Sequence, residues 1–218
     1  MPQLGKMRDD WQVNASEVPR FYFGAMSPYS WFAAERIEQL LPQASWRGVF
    51  AGALFKANGR VSWGLTEERP EKLADCERRA AELGLGAIRW PDPWPTNDLL
   101  IARAMAFCER VDAEQHTDGA PGQELLKSFA LGAMRLSFLE GVDLGEPQAV
   151  LEAGRRSGLD EDQLRNALQQ AEVKDALRAS NEEAVAAGVF GVPTVILSGE
   201  LFWGDDRLQE AADAHDRA

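Results

Sequence analysis

Hydrophobic and polar positions divide the chain into three regimes. The first begins with the aromatic run Arg20-Phe21-Tyr22-Phe23, closed by Gly24, which predicts a strand. Ser27 then stands where a helix N-cap belongs, and Pro28 falls at the first helical position, where its missing N–H costs nothing. Ala33, Ile37, Leu40 and Leu41 share one stripe of the helix that follows, and Pro42 ends it. Trp46-Arg47-Gly48-Val49-Phe50-Ala51 predicts a second strand, leading into a loop, FKANGRVSWG, around Asn58-Gly59. The chain therefore opens as β-α-β.

From about residue 70 to 187 the pattern is almost wholly helical. Its segments are PEKLADCERRAAELG, NDLLIARAMAFCERV, GQELLKSFALGAMRLSFLEG, EPQAVLEAGRRSG, DEDQLRNALQQAEV and VKDALRASNEEAVAAG, with Gly, Pro and Asp at their ends. The period then changes again. GVFGVPTVILSGELFWGDDRLQEAADAH predicts a Gly-rich turn, a strand at residues 194–197, a turn at Ser198-Gly199-Glu200, a partner strand Leu201-Phe202-Trp203, and a closing helix from about Asp206. Strands at both ends with helices between them predict one sheet interrupted by a helical insertion. The expected division is a flexible arm over residues 1–18, a sheet-bearing domain over 19–69 and 188–218, and a helical insertion over 70–187.

At 218 residues, 45% of them hydrophobic, the chain can build one substantial core. A net charge of -12, with no basic stripe, argues against a nucleic-acid partner and leaves small molecules or proteins. No apolar run has the length of a signal-peptide core or a membrane span, so the expectation is a soluble, cytoplasmic protein. Cys76 and Cys108 lie in separate helical segments without CxxC or metal-ligand spacing, and read as packing cysteines. His116 and His215 stand in no catalytic spacing, and no GxSxG elbow exists, which makes a Ser-His-Asp hydrolase a poor reading of Ser27.

The chemistry is sought at Ser27-Pro28-Tyr29-Ser30. With cysteine at both ends this frame would be a dithiol redox site; with hydroxyls it cannot perform disulfide exchange. By itself it is an ordinary capped helix start. A second feature, Gly-Val-Pro-Thr, sets Pro193 directly before a strand, where a cis Val192-Pro193 bond would leave the Val192 backbone groups free to face a ligand.

Together, FYFGAMSPYSWFAAERI, LFKANG, WPTND and AAGVFGVPTVILSGELFWGDDRL resemble the thioredoxin-like superfamily in its DsbA-type form. The serine version resembles the 2-hydroxychromene-2-carboxylate isomerase and kappa-class glutathione transferase family, over roughly residues 20 to 215. The implied fold is α/β, a thioredoxin-like domain with an all-helical insertion.

The resemblance implies a glutathione site. Ser27 matches the serine whose hydroxyl bonds the glutathione sulfur; Val192, before Pro193, matches the position that pairs with the tripeptide backbone; Asn58 matches an asparagine that contacts it. Asp205 and Asp206 fall where the γ-glutamyl end is held, Asp206 at the acidic position that meets its ammonium group; either could instead cap the last helix. Asp205 departs from the usual neutral residue and would repel the ligand's carboxylate unless turned to solvent. Gly24 stands where aspartate is common, and NGRVSWG lacks the usual proline-rich continuation; Ser30 reads as structural. Trp63, Trp90, Trp94 and Trp203 are candidates for an aromatic acceptor pocket, or for core. The implied partner is a small aromatic or electrophilic substrate, and the implied assembly a homodimer. Isomerase, transferase and redox-inactive binding protein all remain open, because the first two need the same thiolate and the third needs none.

Overall fold

A computed structural model of the chain describes residues 18–115 and 122–217; His116 and nearly all of the expected N-terminal arm lie outside them. Among the described residues the elements run β1 (Arg20–Phe23), α1 (Pro28–Leu40), β2 (Ser45–Gly48), α2 (Ala51–Ala57), α3 (Arg69–Glu82), α4 (Leu99–Gln115), α5 (Glu124–Glu140), α6 (Pro147–Arg156), α7 (Glu161–Ala167), α8 (Ala171–Ala186), β3 (Thr194–Leu197), β4 (Glu200–Trp203) and α9 (Leu208–Asp216). This is the α/β fold with a helical insertion that the pattern predicts.

The sheet order is β2-β1-β3-β4. β1 runs parallel to β2, as a strand pair joined by a crossover helix must, and antiparallel to β3; β4 returns antiparallel to β3 through a two-residue turn. Both faces are covered, which is why β1 and β3 are apolar at nearly every position instead of alternating. Phe21 and Phe23 stack at 5.3 Å with the Trp46 ring edge-on to both, on the face that joins the main core; Tyr22 and Ile196 point to the opposite face, among Leu54, Ala184 and Val189.

The edge of β2 is closed by a side chain. The Gln123 amide donates to the Trp46 carbonyl at 2.9 Å, and its oxygen accepts from the Trp46 N–H at 2.7 Å, so one buried glutamine just before α5 replaces a missing strand neighbour. The main core continues from the sheet into the helices, where Trp31 of α1 stacks on Phe138 of α5 at 5.6 Å.

Three boundaries differ from expectation. β2 ends at Gly48, three residues early, and α4 packs there so closely that a Cβ on Gly48 would lie 2.9 Å from the Met105 side chain. Residues 51–57, expected to end a strand and start a loop, form α2 instead, with a partner distant in sequence at its start: Asn181 accepts from the Phe50 N–H at 3.2 Å, and the Ala51 amide favours the charged form of the Asp98 carboxyl. The run DEDQLRNALQQAEV breaks at Leu168, and α8 begins at Ala171; Leu168 and Val173, on either side of the break, are both buried, and no Gly or Pro marks it.

Replacing Gln123 by alanine would leave the Trp46 N–H and C=O buried and unpaired, and is expected to lower stability by about 3 kcal/mol. Urea unfolding of Gln123→Ala measures this; a loss below about 1 kcal/mol would mean that water or a neighbour satisfies the edge.

Candidate functional site

The strand-to-helix junction uses its two serines differently. Ser30 is buried, and its hydroxyl oxygen accepts from the Gly24 N–H at 3.3 Å, pinning the start of α1 to the end of β1. Ser27 is the N-cap of α1: its Oγ accepts from the Ser30 N–H at 3.2 Å, and its own N–H donates to the Gly24 carbonyl at 3.0 Å. The Ser27 hydroxyl is thereby fixed through a lone pair, and its proton remains free to donate.

That hydroxyl borders a cavity of about 1040 Å³. Val192 and Pro193 line it from the segment before β3, joined by a cis peptide bond, and Asp205 and Asp206 line it after β4. Four of the expected site positions thus converge on Ser27. Val192 packs toward Gly24, where a Cβ would lie 3.5 Å from its side chain, and the Pro193 carbonyl accepts from the Gly204 N–H at 2.9 Å. Asn58 does not join them: it is the C-cap of α2, donates to the Leu54 carbonyl at 2.8 Å, and stands outside the cavity lining.

The two aspartates part company. Asp206 is exposed at the cavity rim. Asp205 is 2% exposed and turns inward, not to solvent, paired with Arg79 of α3 and, at 3.5 Å, with Arg36 of α1. Burial pushes its carboxyl up, against the pull of Arg79 and then Arg36. Neither side chain caps α9, whose N-cap position is Arg207.

Three of the four candidate tryptophans line the cavity. Trp63 and Trp94 meet at 5.0 Å, with Tyr29 edge-on to Trp63 and Trp90 behind Trp94, outside the lining. Trp203, 41% exposed, lies beside Phe190, and the Arg60 guanidinium sits over both rings, at 5.1 and 5.3 Å. The Tyr29 hydroxyl donates to Asp75 at 3.2 Å, and burial holds it far above the usual phenol range, so it stays protonated.

Both cysteines are buried. Burial pushes the Cys76 thiol up to about 12 and Cys108 higher still, so neither supplies a thiolate. Among the described residues no cluster of side chains suits a metal ion, and no helix is long and apolar enough to cross a membrane.

Asp98 carries chemistry that the sequence reading passed over. It lies just before α4, lines the cavity, and is 8% exposed; burial pushes its carboxyl up to about 6, opposed by the amides of Asp98 and Ala51. An acid beside Asn97 at a helix start reads as an ordinary cap, so only its placement in the fold distinguishes it.

The family model of the DsbA-like thioredoxin domain matches residues 101–216. The chain belongs to the DsbA-like thioredoxin family. Within reach of it is the 2-hydroxychromene-2-carboxylate isomerase of Sphingobium xenophagum, 24% identical over 195 residues that cover 86% of this chain and 92% of that protein. The glutathione S-transferase kappa 2 of Caenorhabditis elegans is 26% identical over 210 residues, covering 90% and 91%. Among solved structures of this DsbA-like fold, a 2-hydroxychromene-2-carboxylate isomerase superposes with a TM-score of 0.74 at 21% identity, covering 92% of this chain and 95% of that one. The cytosolic disulfide reductase DsbM of Pseudomonas aeruginosa, solved with GSH, superposes with a TM-score of 0.58 at 14% identity, covering 93% and 100%.

The buried Asp98 carboxyl makes stability depend on pH. Between about 4 and 6 the folded chain holds a proton that the unfolded chain has released, so stability falls as pH rises through that window. Asp98→Asn is therefore expected to raise stability at pH 7 by up to about 3 kcal/mol, a difference that vanishes below about pH 4. Thermal melting of both proteins across pH 4 to 8 checks this.

Proposed function

We propose that this protein is a glutathione-dependent isomerase of the 2-hydroxychromene-2-carboxylate type. The observation that carries the reading is the Ser27 hydroxyl, whose oxygen accepts from the Ser30 N–H at the N-terminus of α1, leaving its proton to donate, and which borders the same cavity as Val192 and Pro193. Relatives named as such an isomerase and as a kappa glutathione transferase point to thiol chemistry at a serine version of the DsbA site.

The residues present suit a tripeptide thiol. Asp206 offers an exposed carboxylate for an ammonium group, and Lys56 and Lys72 line the cavity without an ion-pair partner among the described residues, suiting carboxylates. The peptide groups of Val192 offer strand-like pairing to a peptide backbone. The Ser27 hydroxyl and the positive end of α1 both favour a thiolate over a thiol. When bound, glutathione supplies the sulfur that adds to an unsaturated carbon of the substrate and departs after bond rotation, with no net redox change.

Trp63, Trp94 and Tyr29 give the substrate's aromatic ring an apolar wall, and Lys72 of the same cavity lining offers a charge for its carboxylate. Asp205, held by Arg79 and Arg36, anchors the segment that presents Asp206. A kappa-like transferase is the second reading, favoured by the kappa relative, and differs only in the fate of the adduct.

Calorimetry with glutathione and turnover of 2-hydroxychromene-2-carboxylate test the proposal. The wild type should bind glutathione at millimolar or lower concentration and isomerise the chromene only in its presence. Ser27→Ala should slow turnover about 100-fold while glutathione still binds. Conjugation of an electrophile without chromene isomerisation would favour the transferase, and no heat with glutathione at millimolar concentration would sink both.

A further inference from the structure

Asp98 is placed as a group that moves protons. Among the described residues it is the buried carboxyl lining the cavity that has no cationic partner, since buried Asp205 is held by Arg79 and Arg36. Capping does not require its charge. Asn97 already accepts from the Leu99 N–H at 3.0 Å at the start of α4, and the Ala51 amide could be satisfied by a neutral oxygen without burying an ion. A titratable group is thus kept where a neutral one would hold the fold equally well.

The surrounding charges leave Asp98 to desolvation. Lys56 of α2 and Arg60 after it line the same cavity, as do Lys72, Asp75 and Arg79 of α3, Glu68 before it, and Asp205 and Asp206 after β4. Burial is the leading cause that raises its titration, and the amides of Asp98 and Ala51 oppose it.

We propose that Asp98 is the proton shuttle of ring opening, an inference that rests on the isomerase reading above. Its carboxylate takes the proton from the hydroxyl on the substrate's hemiketal carbon as the bond from that carbon to the ring oxygen breaks. The carboxylic acid so formed returns the proton to the departing phenolic oxygen. One O–H and one C–O bond break, one C=O and one phenolic O–H form, no electron is gained or lost, and Asp98 ends ionised as it began. A carboxyl titrating near 6 suits both halves, being largely ionised at neutral pH yet a better proton acceptor than an ordinary aspartate.

The experiment is the pH profile of kcat/KM for 2-hydroxychromene-2-carboxylate at saturating glutathione, in wild type and Asp98→Asn, with glutathione calorimetry on both. Wild type should show a log-log slope approaching two below about pH 6, one proton for the thiol and one for Asp98. Asp98→Asn should bind glutathione unchanged, show a slope of one, and fall about 100-fold at neutral pH. Glutathione binding in both with the slope of two retained, or a loss under about threefold, would overturn the shuttle alone. No glutathione heat in the wild type would overturn the isomerase reading and the shuttle with it. Should Asp98→Asn fail to fold, Asp98→Glu replaces it: retention of the slope of two supports the shuttle, and a slope of one contradicts it.

Discussion

The hydrogen bond from the Ser30 N–H to the Ser27 oxygen, 3.2 Å long, decides what the site can do. It uses a lone pair and leaves the hydroxyl proton free, so one atom both starts α1 and offers a donor at the positive end of that helix. The donor points at something only because Ser30 ties Gly24 to the helix, and because β1 pairs antiparallel with β3 at Tyr22 and Thr194. That pairing brings Pro193, one residue before Thr194, to the same end of the sheet as Ser27.

Buried charge secures the other wall. Asp205 joins α1 through Arg36 and α3 through Arg79, linking the first helix of the sheet region, the first helix of the insertion and the segment after β4. Removing one partner from such a cluster leaves an uncompensated charge, which makes the arrangement a constraint on the shape of the cavity more than a source of stability. The same segment leaves Asp206 exposed at the rim, so of the two adjacent aspartates Asp205 anchors the segment and Asp206 faces the cavity mouth.

Features with local causes could be read from the chain. Ser27 and Pro28 form a cap within four residues, the turn at Ser198-Gly199 sits between two apolar runs, and Gly24 and Pro42 bound their elements. What escaped the reading has distant causes. α2 has Asn181 at its N-terminus, far beyond any sequence window, and α7 ends at the buried Leu168. In the site, Ser27, Val192, Pro193, Asp205 and Asp206 converge, but the inward turn of Asp205 needed two arginines that no motif marks. Asn58 could be foreseen as a turn residue and not as a helix C-cap, since the helix itself was not foreseen. Asp98 carries no local sign, because a helix-start aspartate looks the same whether solvated or buried.

The proposed role of this junction is to stabilise a thiolate brought by a ligand. The most direct measurement is the ultraviolet absorption of the thiolate of bound glutathione as a function of pH. The bound sulfur should titrate near pH 6.5, about 2 units below a free thiol and equivalent to roughly 2.7 kcal/mol of stabilisation. Titration of the bound sulfur at about 8.5, as in solution, would contradict it.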